Sequence, residues 1–295
     1  MKKKYRWMAA ATVAVLAIGG CSFFPEGKYL LNFQYAEAET SEGTFTVAHL
    51  SNGASGRRVI FLHGTPGPSN DTMSNNNTKS TIEGLEFVIV HRLGWGRTTP
   101  RRPVTSLMAQ AEAILPLLVE KDGKKPIIVG FSYGGPVAAM IAAKYGDKIG
   151  GMIQVAGAID PDLEPDPHFM QNFGNLSWVS PFVPEGLHTA NQELLTLEDE
   201  LRLMAPMLER ISAPTVVLHG TADGNVDYGN VDFMRARFSN AASLEIVTIE
   251  GGGHGAGFRN NLLFQAIKKL ADEDFNTPVR DIKVDLSRCS LCFVE

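Results

Sequence analysis

A chain of 295 residues is long enough for one large domain or two small ones. Its 44% hydrophobic residues can build a substantial core, and a charged fraction of 20% excludes a disordered chain. The net charge is −5, with no Lys/Arg-rich block beyond the first six residues, which argues against a nucleic-acid partner.

The first segment stands apart from the rest. Lys2, Lys3, Lys4 and Arg6 precede an apolar and small-residue run from Met8 to Gly20. The run is too short to span a bilayer comfortably, so residues 1–20 read as a signal peptide. It ends Leu16-Ala17-Ile18-Gly19-Gly20-Cys21, which resembles a bacterial lipobox, although Gly19 sits where Ala or Ser is commoner. That resemblance implies a protein exported to the cell envelope and held on a membrane by lipid on Cys21. The alternative is an ordinary secretory signal in which Cys21 is incidental. Loss of residues 1–20 removes four basic residues and takes the net charge from −5 to −9. Residues 21–28, with Pro25 and Gly27, read as a tether.

Beyond the tether the pattern turns extended. Leu31, Phe33 and Tyr35 alternate with Asn32 and Gln34, and Phe45 and Val47 alternate with Thr44 and Thr46. Both stretches are predicted to be half-buried antiparallel strands. Continuous apolar runs follow at Arg58–His63, Phe87–Val90, Pro126–Gly130, Met152–Val155, Thr215–Leu218 and Leu244–Ile249. Such runs fit strands buried on both faces of a parallel sheet. Helical stretches lie between them: Ser106–Lys121, interrupted by Pro116, then Pro136–Tyr145, Val231–Phe238 and Asn260–Asp272. The alternation predicts an α/β fold with a mostly parallel, doubly wound sheet. Residues 160–205 break the pattern: rich in Pro, Asp, Asn and aromatics, the segment turns helical from Gln192 to Arg210. It is too long for a plain connection and reads as a small, mainly helical cap. The core is then 29–159 with 206–274, and 275–295 is left as a tail.

The chemistry centres on Gly130-Phe131-Ser132-Tyr133-Gly134. A buried strand runs into this Gly-x-Ser-x-Gly and an Ala-rich helix leaves it, the strand–turn–helix setting of a nucleophile elbow. The turn is too tight for side chains beside the serine, so glycines flank it. Ser132 then projects above the sheet at a helix N-terminus, where developing negative charge is favoured. A serine hydroxyl needs a base. Of the seven histidines, only His254 lies downstream of every plausible acid, in a loop opened by Gly251-Gly252-Gly253. The acid should leave the preceding strand; Asp223 is preferred there, with Asp227 the alternative. Oxyanion donors are expected from the backbone N–H of Tyr133 and of Thr65, the latter in His63-Gly64-Thr65-Pro66-Gly67. His63 and His219, each at a strand end before Gly, read as bracing residues.

These motifs together resemble the α/β-hydrolase superfamily, in the branch with a single small cap. The resemblance rests on the His63–Gly67 loop, the Gly130–Gly134 elbow, the Asp223 loop and Gly253-His254, with Arg92-Leu93-Gly94-Trp95-Gly96-Arg97 as a fifth match. It covers roughly residues 40–272. His91 stands where relatives often carry Asp, and the tail after Asp274 has no assigned counterpart. The resemblance implies a serine hydrolase acting by acyl transfer on a small-molecule acyl substrate, a carboxylesterase by default. An Asp nucleophile, as in haloalkane dehalogenases and epoxide hydrolases, is excluded by Ser132.

Other readings stay open. The His-Gly-x-Pro-Gly loop also resembles that of proline iminopeptidases, with Asp160, Asp162, Glu164 and Asp166 as candidates to hold an amine. Phe169, Phe173, Trp178 and Phe182 either line an acyl pocket or form the cap's own core. A membrane-associated lipase and a non-catalytic binding module are the remaining alternatives. No cluster suited to a metal is evident and no nucleotide-binding motif appears, so neither metal nor cofactor is expected. Cys289 and Cys292 are read as a local disulfide or two bystander thiols.

Overall fold

The computed structural model describes residues 32–67, 84–164, 183–273 and 279–285. The signal segment, Cys21, Leu31, Asp166, the four cap aromatics, Cys289 and Cys292 lie outside them. Nine strands form one sheet: β1 Asn32–Thr40, β2 Gly43–Ser51, β3 Arg58–Leu62, β4 Glu86–Val90, β5 Ile127–Phe131, β6 Gly151–Val155, β7 Thr215–Gly220, β8 Leu244–Glu250 and β9 Val279–Asp285. Their order is β1-β2-β4-β3-β5-β6-β7-β8-β9. The β1–β2 and β2–β4 pairings are antiparallel and every other pairing is parallel. This is the mostly parallel α/β sheet that the apolar runs predict.

Period-2 alternation explains why those runs are apolar throughout. Ile60, Leu62, Ile128, Met152, Val217 and Ile246 face one core. Val59, Ile127, Val129, Ile153, Val155, Val216 and Leu218 face the other. The first core is closed by helices α1 Leu107–Glu112, α2 Gly134–Tyr145, α3 Glu185–Met204 and α4 Asn230–Arg237. The second is closed by α5 Leu262–Ala271, whose Leu263, Ala266, Ile267 and Leu270 form one buried stripe.

Several elements depart from expectation. Helix α1 starts at its Ser106 cap, which accepts from the Ala109 amide at 3.3 Å, but it ends after six residues, and Pro116 lies in a short 3-10 turn. Proline has no N–H to extend the helix and its ring clashes with the preceding turn. In β1 the inward phase is set by Ala36 and Ala38, so Tyr35 is left exposed. Helix α3 begins seven residues before Gln192, and Ala205–Arg210 continues it as 3-10 helix. It lies within the segment expected to form a cap, yet its Leu197, Leu201 and Met204 belong to the main core. The segment read as a tail contributes β9, parallel to β8 from Leu244↔Val279 to Glu250↔Asp285. Ile282 and Val284 pack inward there, and Asp281 pairs with Arg235 of α4 at 2.8 Å.

Candidate active site

The loops leaving β3, β4, β5, β7 and β8 gather at the C-terminal edge of the parallel strands, where open α/β sheets bind ligands. Ser132 sits between β5 and α2 at φ +54°. A side-chain-bearing residue is held in this left-handed region only when its surroundings over-determine it. They do so here. The Ser132 amide donates to the Val155 carbonyl at 3.0 Å, and its carbonyl accepts from Gly135 at 2.8 Å. A Cβ on Gly130 would stand 2.8 Å from the Ala138 methyl carbon, and one on Gly134 would overlap the Leu62 carbonyl and lie 2.9 Å from that of His63. The turn therefore packs backbone against backbone. Gly134→Ala is expected to lower stability by about 1–3 kcal/mol through overpacking, read as a fall in melting temperature.

His254 and Asp223 arrive from the loops after β8 and β7. The His254 Nδ1 lies 2.8 Å from the Asp223 Oδ2, and Phe131 packs against the imidazole with ring centroids 4.9 Å apart. The Asp223 side chain is fully buried. Its Oδ1 accepts from the amides of Asn225 at 2.9 Å and Val226 at 3.0 Å. The His219 Nε2 lies 3.5 Å from Oδ2 and 3.0 Å from the Val226 carbonyl. Burial alone would raise this carboxyl's pKa. The contacts from His219, His254 and the two amides outweigh it and hold Asp223 well below the ordinary carboxylate range. Asp227 goes elsewhere: its Oδ1 accepts from the Gly229 amide at 2.7 Å, in the turn that starts α4. The structure thus brings Asp223, and not Asp227, to His254.

Gly64 lies against Ser132, since a Cβ there would stand 2.8 Å from the Ser132 Cβ. Thr65 is the next residue, and its hydroxyl is buried with no hydrogen-bond partner among the described residues. Tyr133 opens α2 with its ring buried and its hydroxyl donating to the Thr105 carbonyl at 3.3 Å. Of the residues expected to donate to an oxyanion, Tyr133 thus follows Ser132 directly and Thr65 follows the glycine packed against it. His63 braces the loop, its Nδ1 2.7 Å from the Gly64 carbonyl and its Nε2 accepting from the Arg92 amide at 3.2 Å. Burial, and then the Arg92 charge, hold His63 well below the usual histidine range. His91 fastens the next loop, with its Nδ1 accepting from the Arg97 amide at 2.9 Å and its carbonyl from the Thr98 hydroxyl at 2.6 Å. Burial, then the Arg97 and His49 charges, pull it down to about 4, which keeps it neutral.

Two residues of this region carry more than their sequence setting suggests. Arg92 is fully buried: it donates to the carbonyls of His63 at 2.8 Å and Gly64 at 3.0 Å, and its guanidinium lies 4.6 Å from the centre of the Tyr133 ring. Glu193 of α3, also fully buried, receives it at 2.6 and 3.2 Å and takes the Trp95 indole N–H at 3.0 Å. The available signal is Glu193's position, since it shares a helical stripe with Thr189, Leu197, Leu201 and Met204, all buried. Of the candidate amine ligands, Asp160 accepts from the Asp162 amide at 3.0 Å, and Asp162 pairs with Arg202 at 2.9 Å. Glu164 is pushed up to about 7 by burial first and then by the charges of Glu198 and Asp160. Among the described residues no group of His, Cys, Asp and Glu could hold a metal ion, and no helix is long and apolar enough to cross a membrane.

A family described as "alpha/beta hydrolase fold" matches residues 57–196. A multifunctional-autoprocessing repeats-in-toxin of Vibrio vulnificus is 28% identical over 134 residues, 43% of this chain. The chain spans only 2% of that toxin's length. A bacterial membrane phospholipase A, described as a virulence factor, superposes with a TM-score of 0.55 at 18% identity, covering 83% of this chain and 87% of its own. An esterase from Rhodococcus sp. ECU1013 superposes with a TM-score of 0.52 at 17% identity, covering 81% of this chain and 98% of its own.

Proposed function

We propose that this chain is a serine hydrolase of the α/β-hydrolase superfamily, cleaving an ester through an acyl-enzyme on Ser132, a reading supported by the match of an α/β-hydrolase-fold family to residues 57–196. The observation that carries the reading is the pairing of a serine at φ +54° on the sheet edge with a buried Asp223 hydrogen-bonded to His254 at 2.8 Å. With Nδ1 turned to Asp223, the other imidazole nitrogen is left for the serine proton. The Ser132 Oγ attacks the acyl carbonyl as His254 takes that proton, and the developing oxyanion is received by the amides of Thr65 and Tyr133. His254 then protonates the departing alcohol. Water attacks the acyl-enzyme with His254 again as base, and Ser132 is regenerated. Asp223 stays ionised, fixing the tautomer and stabilising the imidazolium.

Esters are favoured over amides by the kind of neighbours the fold has, a phospholipase A and an esterase. Two of the acidic residues that an aminopeptidase would turn to a substrate amine, Asp160 and Asp162, are engaged within their own turn and by Arg202. The N-terminal charge, apolar run and Cys21 support export and a lipid anchor, which puts lipid-like esters within the substrate range. The test is hydrolysis of p-nitrophenyl acyl esters of increasing chain length, beside proline and alanine arylamides, by the full chain in detergent. Ester turnover with an optimum chain length is expected, with labelling by a fluorophosphonate. Faster arylamide turnover would move the reading to an aminopeptidase. A folded protein inert to both substrate sets and to the probe would leave a binding module.

A further inference from the structure

The Arg92 side chain touches both proposed oxyanion segments. It binds the two carbonyls immediately before Thr65 and underlies the ring of Tyr133. The peptide that carries the Thr65 N–H is the same peptide whose carbonyl, on Gly64, accepts from Arg92. Fixing that oxygen fixes the plane of the N–H on its other side. The guanidinium has further donors, and they go to Glu193 on a helix more than a hundred positions away in sequence. Glu193 also takes the indole N–H of Trp95, from the same loop as Arg92. All of this is sealed from water, where such contacts are strong and geometrically specific.

We infer that Glu193 is a positioning residue: through Arg92, the seating of α3 on the sheet edge sets the geometry of the oxyanion hole. Arg is suited to this and Lys is not. Only a planar fork reaches two carbonyls and a carboxylate at once. The inference rests on the serine-hydrolase reading for its catalytic consequence, but the link from α3 to the loop is structural and is testable without it.

Breaking the pair from one side leaves a buried charge, so Glu193→Gln alone confuses misfolding with misplacement. The informative variant is the double replacement Arg92→Met with Glu193→Leu, which fills the space with apolar groups and removes the link. Its melting temperature is expected to fall by several degrees but not to collapse, because an apolar pair commonly substitutes for a buried ion pair while the Trp95 indole N–H and the His63 carbonyl lose their partners. On p-nitrophenyl butyrate its kcat is expected to fall about 10²-fold, the scale of a displaced oxyanion donor, with KM changed less than twofold. Trp95→Phe, which removes one donor to Glu193 and strands no charge, is expected to lower kcat by a few-fold. Hydrogen exchange at residues 63–65 should quicken in the double variant relative to β5 and β6. A double variant that keeps wild-type kcat and wild-type exchange would overturn the proposal and leave the pair as packing. If the double variant unfolds, Trp95→Phe decides, and unchanged kcat and exchange in it count against the link. If wild type itself is inert while exchange quickens as described, the hydrolase reading fails and the link from α3 to the loop stands.

Discussion

Replacing Ser132 with glycine is expected to abolish hydrolysis and raise the melting temperature in the same protein. The nucleophile of a serine triad is worth about 10⁶ in kcat, so activity should fall to the residue left by binding and the oxyanion donors. Stability moves the other way because the backbone at 132 is held at φ +54°. That conformation costs a side-chain-bearing residue about 1–2 kcal/mol and costs glycine almost nothing. Glycine's greater freedom in the unfolded chain takes back about 0.5–1 kcal/mol. A net gain of about 0.5–1 kcal/mol corresponds to a rise of roughly 1–4 °C at this size. Ser132→Ala separates the two effects: it should be as inactive as the glycine variant, with its Cβ still strained and no gain in stability. Thermal unfolding of the three proteins beside their ester turnover checks both halves. A glycine variant that melts below wild type would mean that the strain is not stored where the backbone angle puts it.

Asp223→Asn is expected to cut kcat about 10⁴-fold, the loss seen when the acid of such a triad can no longer hold the histidine tautomer. Asp227→Asn, in the turn before α4, should stay within twofold of wild type. The two variants together decide the acid directly. The same change should alter the dependence of stability on pH. The folded-state pKa of Asp223 is depressed below its unfolded value of about 3.9. Its contribution is therefore fully present well above pH 4 and is lost as pH falls below that, toward the folded value. Wild type should lose stability between about pH 4 and pH 2 more steeply than the asparagine variant. At pH 7 the variant should be less stable by about 2 kcal/mol, the scale of a hydrogen bond to a buried charge. Urea melts of both proteins at pH 7, 4 and 3 provide the measurement; parallel pH profiles would remove Asp223 as an ionised, hydrogen-bonded acid.

The sheet was legible wherever burial on both faces forced an unbroken apolar run, as in β3 to β8. The elbow was legible because the steric demand at Ser132 leaves a glycine on each side, and a glycine has no synonym at such contacts. Asp223 and His254 could be named because fold topology orders the loops that carry them. What escaped notice lacks such a one-letter signature. The β9 strand is an edge strand with charges on its open side, and Ile282 and Val284 alone do not outweigh the polar residues around them. Tyr35 reads as an inward residue by alternation, yet the phase of a one-sided strand is fixed by its partner β2, not by its own letters. The contact of Arg92 with Glu193 joins positions 101 residues apart, so each looks like a surface charge until the fold brings them together. Phe169, Phe173, Trp178 and Phe182 lie outside the described residues, which leaves acyl-chain preference to the substrate series.

The placement of β1 and β9 at opposite ends of a nine-stranded sheet has a practical consequence for how the molecule can be handled. Eight strand spacings of about 4.8 Å put the two edges roughly 38 Å apart along the hydrogen-bonding direction. If Cys21 carries lipid as proposed, the ten residues between it and Asn32 set an upper bound of about 40 Å on the distance from that lipid to the start of β1. A reporter fused beyond β9 would ride on the far flank, well separated from β1. Joining Asn32 of β1 directly to Asp285 of β9 would need a bridge across the whole width of the sheet.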